Sequence, residues 1–565
     1  MPRIPRSRAD WLAPIAVFVA TAAVYGCRLG ALGLTEPDEA RYAAVGRAML
    51  STRDLVTPCF NGFVYLDKPP LLHWLTAAAF AVGGVCESSA RAVSVLAAAA
   101  GTALVYAFGR AAFGARAGLV SAAVLASSLL WFVMGRVLRF DMLLTLSVTA
   151  TLYSAWIAVE TGERGRRYWL LSTAAAGLGT LVKGPVALVL PAMVLFPYLA
   201  ITRQLPALRR VPWLACLALL AAIVAPWCIL CERASPGAMR FILLQENLAR
   251  AAGEVGESHA RPWWYLLAIL PAAVLPWVLC LPGAAIDACG PRSRGQAADW
   301  RASVLLLLWL ASPVVLFSIP TGKLFGYVLP ALPAAALLIG RYLSNAHERS
   351  RPATIATGGL LIGASVALQT VGLRPIAQAG YPTDPPVPLT AAALLLGGLG
   401  VVVLGAMRRP GSAIGVTVAC VLGAYHIAVR AAELAQPPVS ERALARQVAA
   451  LRRPGERVVA YGRMSRGVLF YLNEPVIVVG HMPGEYDFPG NLARLKGWHY
   501  DRDEAGSLFA ASPAAIGTAR VRDWEELRGR LPDRVRLLAR VGKNVVFRTV
   551  PGRDTGQEMP AATPK

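Results

Sequence analysis

A chain of 565 residues that is 56% hydrophobic and carries 56 Lys and Arg against 33 Asp and Glu, a net charge of +23, does not fit a soluble globular class. Its apolar residues come in blocks near bilayer-spanning length, and its basic residues lie mostly in the short loops between blocks. That distribution argues against a nucleic-acid groove and for inside loops facing anionic headgroups, so membrane lipid is an expected partner and nucleic acid is not.

The basic segment Met1–Arg8 precedes an apolar run that starts at Trp11 and continues to about Tyr25. The run is read as an uncleaved first span with its N-terminus inside. Thirteen spans are predicted, at roughly 11–29, 92–112, 117–135, 141–160, 168–183, 185–200, 212–231, 264–282, 302–319, 324–343, 353–373, 387–407 and 411–431. The apolar segment 70–85 is left out. Counting it would move the loops of Arg110/Arg116, Arg164/Arg166/Arg167, Arg203/Arg209/Arg210, Arg292/Arg294, Arg349/Arg351 and Arg408/Arg409 mostly to the outside, against the positive-inside rule. Segments 70–85 and 37–50 are therefore expected to be juxtamembrane helices.

Residues 1–435 are read as a polytopic all-α membrane domain with a first outer loop at 30–91 and a long outer loop at 232–263. Residues 436–552 differ in composition. Short β-like runs (458–461, 476–479, 545–547) alternate with charged helical stretches (440–452, 522–531), which predicts a small soluble α/β domain outside the membrane. Residues 553–565 are expected to be a disordered tail. No transporter-type internal repeat is present, which disfavours a lipid flippase or transporter.

On this topology several charged residues share the outer face. Glu36, Asp38 and Glu39 stand at the outer end of the first span. One or two acids would complement the dipole of the short helix after Pro37; three in four positions are more than capping needs, so Asp38 is a catalytic or sugar-binding candidate. Asp141 opens a span after Arg136 and Arg139, either as an interface ion pair or as a second pocket carboxylate. Lys68 and Lys183 each sit just ahead of a proline, in Lys68-Pro69-Pro70 and Lys183-Gly184-Pro185. Snorkelling to headgroups would not require such rigid placement, so phosphate contact is expected for Lys68, with Lys183 and Lys323 as further candidates. Asp67 and His259 are the candidate ligands of a divalent metal, and no cofactor is required. Six His and nine Cys are otherwise scattered, and Cys228–Cys231 lacks a partner pair.

The ordered set Pro37-Asp38-Glu39-Ala40-Arg41-Tyr42, Tyr65-Leu66-Asp67-Lys68-Pro69, Lys183-Gly184, His259-Ala260-Arg261-Pro262, Gly322-Lys323-Leu324 and Tyr327-Val328-Leu329-Pro330 resembles the bacterial lipid A aminoarabinose transferases. These are GT-C glycosyltransferases related to the protein O-mannosyltransferases. The resemblance runs over about 30–345, with Asp67 where a Glu is common before the Lys-Pro. It implies an inner-membrane enzyme with a periplasmic active site. Such an enzyme moves 4-amino-4-deoxy-L-arabinose from undecaprenyl phosphate to a lipid A phosphate and protects the cell against polymyxin. The candidate catalytic residues are Asp38, Asp141 and Lys68, and the candidate substrate contacts are Glu39, Arg41, Tyr42, Lys183, Arg261, Lys323 and Tyr327. These groups are expected to converge on one hollow at the outer face, in a monomer. A protein O-mannosyltransferase or another polyprenyl-phosphate hexosyltransferase is the alternative.

Overall fold

A computed structural model describes residues 9–249, 260–290, 297–345, 347–370, 386–435, 440–511 and 514–550. The chain divides into two compact units: residues 1–29, 91–226 and 247–436 form one, and residues 30–90, 227–246 and 437–565 the other.

The first unit is helical. Each of the thirteen predicted stretches contains helix. Among the described residues eight helices are long and apolar enough to cross a membrane, or ten if two bent pairs each count once. One bent pair, Ala115–Ser127 with Leu129–Gly135, turns by 67°; the other, Tyr265–Ala273 with Trp277–Cys289, turns by 105°. Phe140–Lys183, counted as a single stretch, holds two helices, Phe140–Thr161 and Arg166–Lys183, joined by a 3-10 turn. These apolar helices make the chain a polytopic membrane protein. Aromatic stacking fills part of the helical interior: the Phe108 ring lies 5.0 Å from both Tyr153 and Trp156 and 6.3 Å from Trp309. Two ion-pair sets cross-link helices. Arg301 donates to both oxygens of Glu160 at 2.8 and 2.7 Å, and Arg341 donates to Asp287 at 2.8 Å and Asp299 at 3.1 Å. Breaking a buried pair by removing one partner costs about 3–5 kcal/mol, so these links fix helix register.

The second unit gathers the two expected juxtamembrane helices, Asp38–Thr52 and Leu71–Gly83. At about 1.5 Å per residue the latter is roughly 20 Å long, short of the ~30 Å of a hydrocarbon core. Between the helices lies a hairpin of β1 (Cys59–Phe60) and β2 (Phe63–Val64). Its turn is Asn61-Gly62, both at positive φ (53° and 82°), the backbone that an Asn-Gly pair tolerates best. Asn61 is also a clasp. Its amide donates to Val476 O at 2.8 Å and accepts from Val476 N at 2.8 Å, and it donates to the Tyr486 hydroxyl at 2.6 Å.

Val476 begins the second strand of a six-stranded sheet. With β3 (Arg457–Gly462), β4 (Val476–Gly480), β5 (His499–Tyr500), β6 (Ala515–Arg520), β7 (Val535–Val541) and β8 (Asn544–Thr549), the order is β5-β4-β3-β6-β8-β7. The pairs β5–β4, β4–β3 and β3–β6 are parallel; β6–β8 and β8–β7 are antiparallel. Helices cover the parallel part, which is why β3, β4 and β6 read as continuously buried runs rather than alternating ones. Val459, Tyr461, Ile477, Val479, Phe509, Trp524 and Phe547 form its core. The expected tail at 553–565 lies outside the described residues.

Candidate active site

The expected site residues fall in two local groups, one in each unit. In the second unit, cis-Pro37 leads into helix Asp38–Thr52, whose first turn carries Asp38 and Glu39. The two acids part company. Glu39 is buried and accepts from Thr35 N at 3.0 Å and Thr35 Oγ1 at 2.9 Å, so it closes the turn before the helix. Asp38 keeps a quarter of its side chain exposed and accepts from Arg41 Nη2 at 2.7 Å. Three residues separate them, so they lie on one helix face.

Arg41 is the hub. Its Nη1 lies 3.3 Å from Glu485 and 3.8 Å from Asp67, its Nη2 donates to the Tyr42 hydroxyl at 3.2 Å, and its guanidinium stacks over the Tyr42 ring at 5.0 Å. Burial opposes the Arg41 charge, but the ring hydroxyls of Tyr65 and Tyr42, with Asp67 and Glu485, more than offset it and hold its pKa well above the usual arginine value. Tyr65 donates to Asp67 at 3.0 Å. Lys68 Nζ donates to Asp67 O at 2.6 Å and lies 3.4 Å from Glu246, with a fifth of its side chain exposed. Glu485 is reached from the C-terminal fold, where Arg466 grips it at 2.5 and 3.0 Å. Burial would raise its pKa, yet Arg466 and Arg41 hold it below the ordinary carboxylate range.

Behind this group sits a second acid pair. Glu36 accepts from Gly467 N, while Glu441 accepts from Val468 N at 3.4 Å and lies 3.6 Å from Arg463. Burial first, then the Glu441 charge, pushes Glu36 well above the usual carboxylate range, with Arg466 only partly opposing this.

In the first unit, Asp141 occupies the first turn of Phe140–Thr161, and Lys183 is the last residue of Arg166–Lys183. Gly184 follows at φ +76°, a conformation that suits glycine and lets the chain reverse into the helix beginning at Val186. The reversal leaves the Lys183 ammonium 2.5 Å from Asp141 Oδ1, with Arg139 at 3.9 Å. Tyr327 completes the group: Lys183 Nζ lies 4.7 Å from its ring centre and 5.9 Å from that of Phe317. Gly326 makes room, since a Cβ there would sit 3.2 Å from Asp141 Oδ2 and 2.7 Å from Met134. Lys323 is 4% exposed and donates to Pro320 O at 2.5 Å and Arg261 O at 3.1 Å. It therefore ties down the backbone that presents the exposed Arg261 side chain, whose guanidinium stands 5.8 Å over Tyr265.

Of the candidate metal ligands, His259 lies outside the described residues, and Asp67 is engaged by Tyr65 and Arg41. Among the described residues no three His, Cys, Asp or Glu side chains cluster to hold a metal ion. Glu246, Arg466 and Glu485 were not among the expected site residues. No local motif marks them; only the fold brings them to Lys68 and Arg41.

Residues 67–230 match the family described as dolichyl-phosphate-mannose-protein mannosyltransferase. The undecaprenyl phosphate-alpha-4-amino-4-deoxy-L-arabinose arabinosyl transferase of Pseudomonas savastanoi pv. phaseolicola is 32% identical over 375 residues, covering 65% of this chain and 68% of that protein. The enzyme of the same name from Pseudomonas aeruginosa strain UCBPP-PA14 is 32% identical over 360 residues, 62% of this chain and 64% of its own length. The crystal structure of ArnT from Cupriavidus metallidurans in the apo state superposes with a TM-score of 0.83 at 24% identity, covering 95% of this chain and 98% of that one. The same protein bound to undecaprenyl phosphate gives 0.81 at 23% identity, with 96% and 99% covered. At that identity the likeness establishes the fold.

The fold is that of a polytopic membrane protein with a small C-terminal α/β domain, and the relatives at 32% identity place it among the glycosyltransferases. Within that class, the chain belongs to the family of the undecaprenyl phosphate aminoarabinose arabinosyl transferases.

Proposed function

We propose that this protein transfers 4-amino-4-deoxy-L-arabinose from undecaprenyl phosphate to a phosphate of lipid A, at the periplasmic face of the bacterial inner membrane. The observation that carries the reading is a partly exposed group in which Asp38 is held 2.7 Å from Arg41 and is accompanied by Lys68, in a chain of this family. The anomeric carbon–oxygen bond to the donor phosphate breaks as a bond to an oxygen of the acceptor phosphate forms. Negative charge grows on the departing lipid phosphate, so a fixed cation beside it favours the transition state over the ground state. Lys68 is the first choice for that cation, with Arg41 as a further one.

The acceptor phosphate is already ionised near neutral pH and needs no strong general base. Asp38 therefore orients: its carboxylate, held by Arg41, is the anionic partner for the sugar's ammonium group. Direct displacement inverts the anomeric centre and requires no carboxylate-linked glycosyl intermediate. Asp141, neutralised by Lys183, shapes the Tyr327 end of the first unit's group. Masking a lipid A phosphate with an amino sugar lowers the surface's negative charge, which accounts for protection against polymyxin.

The test is mass spectrometry of lipid A from cells that lack their own transferase and express this chain. An added aminopentose together with restored polymyxin growth is expected. Unmodified lipid A alongside newly glycosylated protein would replace the proposal with a protein O-mannosyltransferase, the reading that the mannosyltransferase match over 67–230 favours.

A further inference from the structure

In the first unit, well separated in sequence from the charged groups described above, helix His347–Thr370 begins beside the end of helix Pro386–Ala406. Both are long and apolar enough to cross a membrane. On the first of these helices Arg351, Pro352, Ile355 and Ala356 line an open depression of about 490 Å³. One wall is cationic and the rest is apolar.

The guanidinium is fixed in place. Arg351 Nε donates to Gly405 O at 3.2 Å and Nη2 to Ala406 O at 3.1 Å, the last carbonyls of the neighbouring helix. These are helix C-terminal carbonyls, whose partial negative charge holds a cation without neutralising it. The chain then continues directly into Arg408 and Arg409, both exposed, and Arg349 stands two residues before Arg351. Arg349 pairs at 3.9 Å with Asp287, which Arg341 also holds at 2.8 Å. Arg351 thus lines an apolar depression near the start of one apolar helix, with Arg349 two residues before it and Arg408 and Arg409 just after the carbonyls that hold it.

We propose that this groove is a binding site for an anionic phospholipid, with the headgroup phosphate on Arg351 and an acyl chain along Pro352, Ile355 and Ala356. Charge complementarity commits the site to a lipid with net negative charge: a zwitterionic headgroup brings its own cation to the arginines and loses most of the attraction, and a free phosphate leaves the apolar wall wet. Nε and one Nη2 proton are spent on the helix carbonyls, so the phosphate is met by the Nη1 protons and the remaining Nη2 proton. The loops that carry these arginines are the basic ones expected on the inner side, where anionic lipid attracts such clusters.

The experiment uses the full-length protein in detergent, titrated with phosphatidylglycerol, phosphatidylcholine or inorganic phosphate and read by native mass spectrometry and thermal unfolding. Phosphatidylglycerol should be retained at least fivefold more than phosphatidylcholine and should raise the unfolding temperature, and inorganic phosphate should do neither. Arg351→Gln should abolish the preference. Because that change also removes a helix link, Ala356→Trp serves as the second variant: it leaves every arginine in place, fills the groove, and should lose the bound lipid just as fully. Equal retention of the two phospholipids by the unaltered protein, or undiminished phosphatidylglycerol binding by Ala356→Trp, overturns the proposal. Stabilisation by inorganic phosphate equal to that by phosphatidylglycerol overturns it too, leaving a simple anion site.

Discussion

The two charged groups solve the same problem in opposite ways. In the second unit, Arg41 is shared among Asp38, Asp67 and Glu485, and Glu485 is in turn gripped by Arg466. Its members come from the first outer segment and from the C-terminal fold, so charge is spread over many partners and no single contact decides the rest. In the first unit, one contact dominates: Lys183 on Asp141 at 2.5 Å, backed by Arg139 at 3.9 Å and aromatic rings. A network tolerates the loss of a member, whereas a group built on one close contact tolerates it less, because the survivor keeps its charge and loses its nearest partner.

Breaking the pair should have the largest effect. Lys183→Met strands the Asp141 carboxylate and is expected to cost about 3–5 kcal/mol. Adding Asp141→Asn should return most of that loss, and thermal unfolding of the purified protein in detergent reads both. If the single variant is as stable as the parent, the pair is not the organising contact of that group.

Next comes Lys68→Ala in the network. It should leave unfolding almost unchanged while lowering transfer by about 10²–10³-fold, the scale of losing one transition-state contact to developing charge. Lys68→Arg, which keeps the charge but changes its shape, should recover only part of the rate. A stability loss as large as that of Lys183→Met would mean that the network is no more tolerant than the pair.

A smaller effect is expected at Glu485→Gln. The amide keeps one acceptor for Arg466 and Arg41 but loses the charge, at a cost of about 1.5–3 kcal/mol for hydrogen bonds to charged groups. Transfer should fall through kcat as Arg41 loosens its hold on Asp38, and the pH profile should shift as well. The folded state holds Glu485 below the ordinary carboxylate range. Its contribution is therefore present above the unfolded value and is lost as pH falls through the depressed one. In the Gln variant that acid-side loss should be blunted.

The smallest effect should come from Glu36. Burial and Glu441 raise its pKa, so the folded state keeps a proton that the unfolded chain releases. Its contribution is complete below the unfolded value and is lost as pH rises through the raised one. Glu36→Gln keeps an acceptor for Gly467 N without a titrating group, so it should unfold at a higher temperature than the parent at alkaline pH and at about the same temperature at pH 4. Parallel unfolding curves for the two proteins across that range would contradict the assignment.

Sequence alone reached the apolar helices, because long apolar runs and basic loops are local signals. It reached helix Asp38–Thr52 through Pro37 and a weak apolar face, helix Leu71–Gly83 as a segment set apart by loop charge, and strands β3, β4 and β8 through their β-branched runs. Strand β6, Ala-Ile-Gly-Thr-Ala-Arg, carried too few branched residues to stand out, although its place beside β3 completes the parallel part of the sheet. Asp38, Arg41, Lys68, Asp141 and Lys183 were proposed as site residues because charge and proline at span ends are conspicuous, and Tyr327 because it belongs to the motif set. Their partners were not: nothing near Glu485 or Glu246 announces that they meet Arg41 and Lys68, since those contacts join segments 444 and 178 residues apart. The same limit applies to Lys323, expected at substrate, whose ammonium is engaged by Pro320 and Arg261 carbonyls.

The most direct measurement is transfer by the purified protein, supplied with undecaprenyl-phosphate aminoarabinose and lipid A, beside Asp38→Asn and Lys68→Ala proteins that unfold at the parent's temperature. Modified lipid A is predicted from the parent and at most trace product from either variant. Product from both variants at the parent's rate would contradict the role given to the Asp38–Arg41–Lys68 group.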